Sequence, residues 1–148
     1  MPMLNRKVDY ALLTLCYLHH KTVGASAREI AERFRLSRPF IANILKDLCQ
    51  REYVISQRGV NGGYVLRSDI GQRSLADLIE ALDDTLLLVE CNAEPAEGCC
   101  DLMSHCPIRE PIADVHRRIR ELFDSVKLAD LFLQSTKERT IQLDLSRI

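Results

Sequence analysis

The stretch Ser26-Ala-Arg-Glu-Ile-Ala-Glu-Arg-Phe-Arg-Leu-Ser37-Arg-Pro-Phe-Ile-Ala-Asn-Ile-Leu-Lys-Asp-Leu48, followed by Tyr53-Val-Ile-Ser-Gln-Arg58-Gly-Val-Asn-Gly-Gly-Tyr64-Val-Leu-Arg67, decides the fold. Ser26 and Glu29 have the spacing of a capping box, in which hydroxyl and carboxylate each satisfy an orphan backbone N–H; Ile30, Ala31 and Phe34 follow as an inner face. That helix ends near Arg35. Ser37 caps the next one, Pro39 is tolerated in its first turn, and Ile41, Ile44, Leu45 and Leu48 make its buried stripe. Two short helices joined by about three residues form a helix-turn-helix. Residues 53–58 then read as a strand and residues 64–67 as its return, with a glycine-rich tip whose tight turn needs positive φ. An isolated hairpin is marginal in water, so this one has to pack on the helices as a wing.

Working outward, Val8, Ala11, Leu12, Leu15 and Leu18 lie on one face of a helix that runs to about His20, with Cys16 as a small core residue beside it. Downstream, Ser74 caps a helix with Leu75, Leu78, Ile79 and Leu82 inside, and Leu86–Val89 is a short apolar run. Periodicity stops between Glu90 and Pro107. It resumes with Ile108, Ile112, Val115, Ile119, Leu122 and Val126, spaced 4, 3, 4, 3, 4, with Pro111 in the first turn: a heptad seam suited to a partner helix. Leu128, Leu131 and Phe132 suggest a short closing helix. The expected class is mainly α, a winged helix-turn-helix with a small β-hairpin wing and a long C-terminal dimerisation helix. Its parts are a DNA-binding domain over 1–84, a cysteine-rich loop over 85–107, and the dimerisation helix and tail over 108–148.

A length of 148 residues suits one ordinary domain, and 47% apolar with 28% charged residues excludes a disordered or collagenous chain. No apolar run spans a bilayer and the start has no signal-peptide pattern, so the expected location is the cytoplasm, without membrane contact. The net charge of −1 conceals an asymmetry: residues 1–67 carry 11 Lys/Arg against 5 Asp/Glu, while residues 68–148 carry 9 against 16. The first half can face a polyanion. The helix from Ser37 is long enough for the major groove of double-stranded DNA, and its start, Ser37, Arg38, Pro39 and Phe40, would lie nearest the bases, with Arg38 favoured for base contact. Arg58, before the wing tip, suits a narrow minor groove, assisted by Asn61 and Gly62. Arg28, Arg35, Lys46 and Arg51 are phosphate candidates.

The aperiodic loop holds Cys91, Cys99, Cys100 and Cys106, four thiols within 16 residues. In a reducing compartment such a cluster points to metal or redox chemistry more than to disulfides, and thiolates are the ligands of zinc and iron–sulfur clusters. No C-x-x-C knuckle of a zinc ribbon is present. Three loop ligands would leave an open position, which suits a reactive centre. His105, beside Cys106, is expected to point away, and the other histidines have no metal spacing.

The run Arg58-Gly-Val-Asn-Gly-Gly63-Tyr64-Val-Leu66, a helix after it, three or more loop cysteines and a long helix together resemble the Rrf2 family of bacterial transcription regulators over nearly the whole chain. The resemblance implies a homodimer of winged-helix subunits on a near-palindromic operator, with a [2Fe–2S] or [4Fe–4S] cluster on three loop cysteines. Carried over to this chain, Cys100 and Cys106 match the last two cysteines of the family and Cys91 the first, with Cys99 an alternative second ligand. The branch that controls cluster assembly has a histidine three residues after its last cysteine; Arg109 stands there here. The nitric-oxide-sensing branch offers instead an acidic residue matching Asp9, which would reach the partner subunit's cluster as fourth ligand; the competing reading of Asp9 is a cap for the first helix. The Cys-Cys and Glu-Pro pairs of the loop look more like the regulator of a second assembly operon. The implied mechanism is a linkage, with the cluster ordering the loop and setting the spacing of the two recognition helices in response to redox state, nitric oxide or iron supply. Two other readings compete: a thiol–disulfide switch or zinc site on the same cysteines, and, remotely, a small iron–sulfur redox protein. No nucleotide-binding glycine fingerprint or catalytic triad pattern occurs, so no enzyme is expected.

Overall fold

The computed structural model describes residues 4–60, 62–82, 87–89, 91, 100–102 and 104–135. Its elements are α1 (Arg6–His20), α2 (Ala27–Phe34), α3 (Arg38–Gln50), β1 (Val54–Gln57), β2 (Gly63–Leu66), a 3-10 turn (Ile70–Gln72), α4 (Leu75–Ala81) and α5 (Arg109–Ser125). A further helical stretch, α6, covers residues 128–135. The result is a mainly helical winged helix-turn-helix.

The expected inner faces of α1 to α4 are buried for the most part, with Leu12 and Phe34 only half-buried at their edges. Val8, Ala11, Leu15 and Leu18 of α1, Ile30 and Ala31 of α2, and Ile41, Ile44, Leu45 and Leu48 of α3 form one core with Leu75, Leu78, Ile79 and Leu82 of the α4 segment and with Leu128 and Phe132 of α6. Burying a side chain of this kind stabilises by about 1.5–3 kcal/mol, so the α3 stripe alone holds that helix against the rest. The Lys7–Asp47 ion pair (2.8 Å) and the edge-to-face contact of Tyr10 with Phe40 (5.3 Å between centroids) tie α1 to α3.

Local caps differ in part from expectation. Asn5, and not Asp9, caps α1, its side chain accepting from the Val8 N–H at 2.9 Å. Ser26 accepts from the Glu29 N–H at 3.1 Å, but the Glu29 carboxylate turns to the Tyr17 hydroxyl (2.8 Å) and the Lys21 ammonium, so the capping box is half made. The complete box is at α4, where Asp77 N–H donates to Ser74 Oγ (3.0 Å) and Ser74 N–H to Asp77 Oδ2 (2.7 Å). Helices α2 and α3 both end with a non-glycine residue in the left-handed region, Arg35 at φ 55° and Glu52 at φ 60°. At the end of α3, Glu52 N–H bonds the Cys49 carbonyl and Tyr53 N–H that of Leu48, the paired bonds of a Schellman motif.

The wing is antiparallel, with Val54 opposite Leu66 and Gln57 opposite Gly63. Both strands differ by a residue from expectation: Tyr53 and Arg58 fall outside β1, while Gly63 joins β2 and Arg67 leaves it. The hairpin also has a partner outside it. Tyr64 also pairs with Ala25, through bonds of 3.0 and 2.8 Å, so the α1–α2 connection adds a third strand-like segment. A Cβ on Gly63 would lie 2.6 Å from the Ala25 carbonyl oxygen, so only glycine permits that approach.

Leu87, Leu88 and Val89 of the expected apolar run are more than a third exposed. Helix α5 packs on α4 and buries none of its own residues fully. Its heptad seam resolves into two rows: Ile112, Ile119 and Val126 are half-buried, whereas Ile108, Val115 and Leu122 stand 58%, 44% and 59% exposed. No helix among the described residues is long and apolar enough to cross a membrane. Asn61, Cys99 and the tail 136–148 lie outside the described residues, as do residues 83–86 at the expected end of the first domain.

Candidate nucleic-acid interface and cysteine loop

The burial of Ile41, Ile44, Leu45 and Leu48 fixes what α3 turns outward. Arg38, Pro39, Asn43 and Lys46 are exposed, and Ser37 Oγ accepts the Phe40 N–H at 3.2 Å as the helix cap. Arg38 and Lys46 have no carboxylate partner among the described residues, nor do Arg35 at the turn and Arg58 at the base of the wing tip. By contrast, Lys7, Lys21, Arg67 and Arg73 are all paired. Unneutralised cations gathered on the recognition helix, its turn and the wing are what a phosphate backbone attracts. Since α3 packs directly on β1, helix and wing present these groups from one body.

Some expected interface residues have other duties. Arg28 is held by Glu32 one turn on (2.7 Å), leaving its guanidinium less available to phosphate. The Phe40 ring packs against Tyr10 and is half-buried, so it positions α3 on α1. Gly62 closes the wing turn by donating its N–H to the Gly59 carbonyl at 2.9 Å, and a Cβ there would meet backbone oxygens at 2.8 and 2.9 Å; its requirement is local. Asn43 was not singled out from the sequence, though its place one turn beyond Pro39 on the polar side of the stripe identifies it. Its amide offers a donor and an acceptor, the pattern that pairs with adenine in the major groove.

Of the loop cysteines, Cys91 and Cys106 are half-buried and Cys100 is exposed; all three are free thiols, as are Cys16 and Cys49. Cys106 stands three residues before α5, its carbonyl facing the Arg109 N–H at 3.5 Å, so a bond at its sulfur would act on the start of that helix. Three accessible thiols on one loop match the donor chemistry of an iron–sulfur cluster. Among the described residues the structure does not bring three metal-ligating side chains together. Asp9, relieved of the capping duty by Asn5, is exposed on the first turn of α1, and His105 is exposed.

The sequence model of the Rrf2 family, described as an iron-dependent transcriptional regulator, matches residues 4–134. The chain belongs to the Rrf2 family of transcriptional regulators. This Rrf2 protein is 26% identical over 130 residues to the HTH-type transcriptional regulator NsrR of Oceanobacillus iheyensis, covering 86% of this chain and 88% of that one. Among solved structures, T. potens IscR superposes with a TM-score of 0.68 at 25% identity, over 89% of this chain and 87% of that chain. The oxidized form of Staphylococcus aureus CymR does so with a TM-score of 0.64 at 25% identity, over 89% and 96%. Relatives of this kind are transcriptional regulators.

Proposed function

We propose that this Rrf2 protein is a cytoplasmic homodimer that binds a near-palindromic operator in double-stranded DNA, with affinity set by an iron–sulfur cluster on its cysteine loop. The observation that carries the DNA reading is the set of cations Arg35, Arg38, Lys46 and Arg58, without a carboxylate partner among the described residues, around an exposed Asn43. Ser37, Arg38 and Asn43 would face base edges; Arg58, with Asn61, would enter the minor groove; Lys46, with Arg28 when released from Glu32, would meet phosphates. Residues 1–84 make up the DNA-binding unit, 85–107 the sensing loop, and 108–148 the dimerisation helix and tail. The exposed row Ile108, Val115 and Leu122 would pack against its copy on a partner.

Cys91, Cys100 and Cys106 would hold the cluster, with Cys99 as alternative second ligand and Asp9 of the partner as fourth. The described part of the chain is compatible with this ligand set, since its thiols are free and accessible and Asp9 has no capping role. When bound, the cluster supplies a redox- and nitric-oxide-reactive centre whose state changes the loop. The protein's own contribution is to convey that change through the start of α5. A coupling of about 1–3 kcal/mol would change operator affinity 5- to 150-fold.

Anaerobic purification with an absorption spectrum and iron and sulfide assays tests the cluster; a colourless, iron-free protein from iron-replete cells would refute it. The likeness to the oxidized form of CymR, together with exposed Cys100, favours a second reading, a thiol switch on the same loop. It predicts operator affinity that follows reductant in the absence of iron. For the interface, Arg58→Ala should weaken operator binding with the fold intact, and unchanged affinity would remove the wing from the mechanism.

A further inference from the structure

The C-terminal end of α3 lacks a cation of its own in the last turn, and its Schellman motif satisfies the Leu48 and Cys49 carbonyls but not that of Arg51. The missing donor comes from another element. Arg73, just after the 3-10 turn, donates from Nη1 to the Arg51 carbonyl at 3.1 Å. Its guanidinium lies 4.4 Å from the centroid of the buried Tyr53 ring and pairs through Nη2 with Asp69 at 3.7 Å. A positive charge placed on the negative end of the helix dipole and stacked on an aromatic face is held in both distance and orientation. Burial pushes the Tyr53 phenol up, while the Arg73 guanidinium beside it pulls the other way.

The main chain of the same residue faces the C-terminal helices. The Arg73 carbonyl accepts from the Leu128 N–H at 3.0 Å, and the Leu75 N–H donates to the Val126 carbonyl at 2.9 Å. Between them Ser74 and Lys127 form an isolated antiparallel bridge, and Ser74 Oγ reaches Asp124 Oδ1 at 3.5 Å. The junction between α5 and α6 is therefore stitched to residues 73–75, and the side chain of residue 73 also grips the end of α3.

We infer that Arg73 is the positioning residue that conveys movement of the α5–α6 junction to the recognition helix. A displacement at residues 124–128 moves the Arg73 backbone directly, and the stacked, bonded side chain moves the Arg51 carbonyl with it. This deepens the reading of α3 as the DNA reader and rests on that reading for its consequence, a change in operator affinity. It needs no particular signal, because any event that shifts α5 enters by the same residues.

Amide hydrogen exchange on the full chain tests the coupling without DNA. The amides of Arg51, Glu52 and Tyr53 close the end of α3, and Arg73→Ala should speed their exchange about tenfold, as expected for one charge-assisted hydrogen bond, with Arg73→Lys falling between. Asp124→Ala, which loosens the junction, should speed the same amides when Arg73 is present and add nothing when it is Ala. Unchanged exchange in Arg73→Ala, or additive effects in the double variant, would overturn the inference. Arg73→Lys retains the charge and tests the fork and stacking should the alanine variant fold poorly. Operator binding is then measured on a fragment enriched from random duplex DNA by the wild-type chain. Recovery of no such fragment would refute the DNA reading and leave the exchange result to judge the coupling. With a fragment in hand, Asp124→Ala should alter affinity several-fold in the wild-type background and not in Arg73→Ala.

Discussion

Replacing Gly63 by Ala probes the contact that fixes the wing to the helices. An added Cβ would lie 2.6 and 2.7 Å from the Ala25 carbonyl oxygen and carbon and 3.0 Å from the Ser26 nitrogen, all backbone atoms. Backbone cannot turn aside as a side chain can, so the Ala25–Tyr64 bridge has to open. That loses the bonds of 3.0 and 2.8 Å at about 1 kcal/mol each. The overpacking itself costs a further ~1–3 kcal/mol. The expected destabilisation is about 3–5 kcal/mol, read as a lowered urea midpoint at unchanged slope. Because Ser26 caps α2, the disturbance should extend to that helix. Gly71→Ala is the control: its Cβ would meet the Ala129 Cβ at 3.1 Å and no backbone atom closer than 4.0 Å, so the cost should stay near 1 kcal/mol or below. Equal destabilisation by the two substitutions, or a loss under 0.5 kcal/mol for Gly63→Ala, would refute the idea that backbone approach at Ala25 holds the wing.

Ser74→Ala should lower stability by about 1–2 kcal/mol in urea titration, because it removes the α4 cap and the bond to Asp124, whereas Ser37→Ala at the exposed α3 cap should lie at the low end of that range. Leu122→Glu, on the exposed row of α5, should yield folded monomers in sedimentation; an undiminished dimer would place the interface elsewhere. The His19 imidazole is held below its ordinary value of 6.5, first by burial and then by the neighbouring His20 charge. Its contribution is therefore present above pH 6.5 and lost as acid protonates the unfolded chain more readily than the folded one, so the urea midpoint should fall from pH 7.5 to 5.5 less steeply in His19→Gln than in the wild type. Cys106→Ala should abolish iron and sulfide retention after anaerobic purification; retained colour would show that the ligand set is different.

Periodicity made most of the fold legible. A buried stripe has to recur at helical spacing wherever it packs, and those of α1, α3 and α4 do so with little interruption. Boundaries set by contacts distant in sequence were not legible. Glu29 fits a capping box by spacing, yet Tyr17 of α1 and Lys21 just after it compete for its carboxylate and win. The capping reading of Asp9, which competed with its reading as a ligand, fails because Asn5 stands at the position whose side chain reaches the Val8 N–H. For the candidate interface, Arg38, Lys46 and Arg58 could be named from charge and order alone. Arg28 could not be set apart from them, because its pairing with Glu32 depends on side-chain geometry. Asn43 was overlooked because a polar residue on an exposed helix face carries no signal until the orientation of that helix is known.

The sequence by itself determined the order of elements, the inner face of each helix and the concentration of thiols before α5, since each depends on local spacing or residue type. It also carried enough of the Rrf2 pattern to indicate the family. Tertiary structure alone decided that the Ala25 segment joins the wing, that Arg73 closes the end of α3, and that α5 leaves one apolar row uncovered. These are relations between residues far apart in the chain, and nothing in the spacing along it encodes which backbone group will meet which.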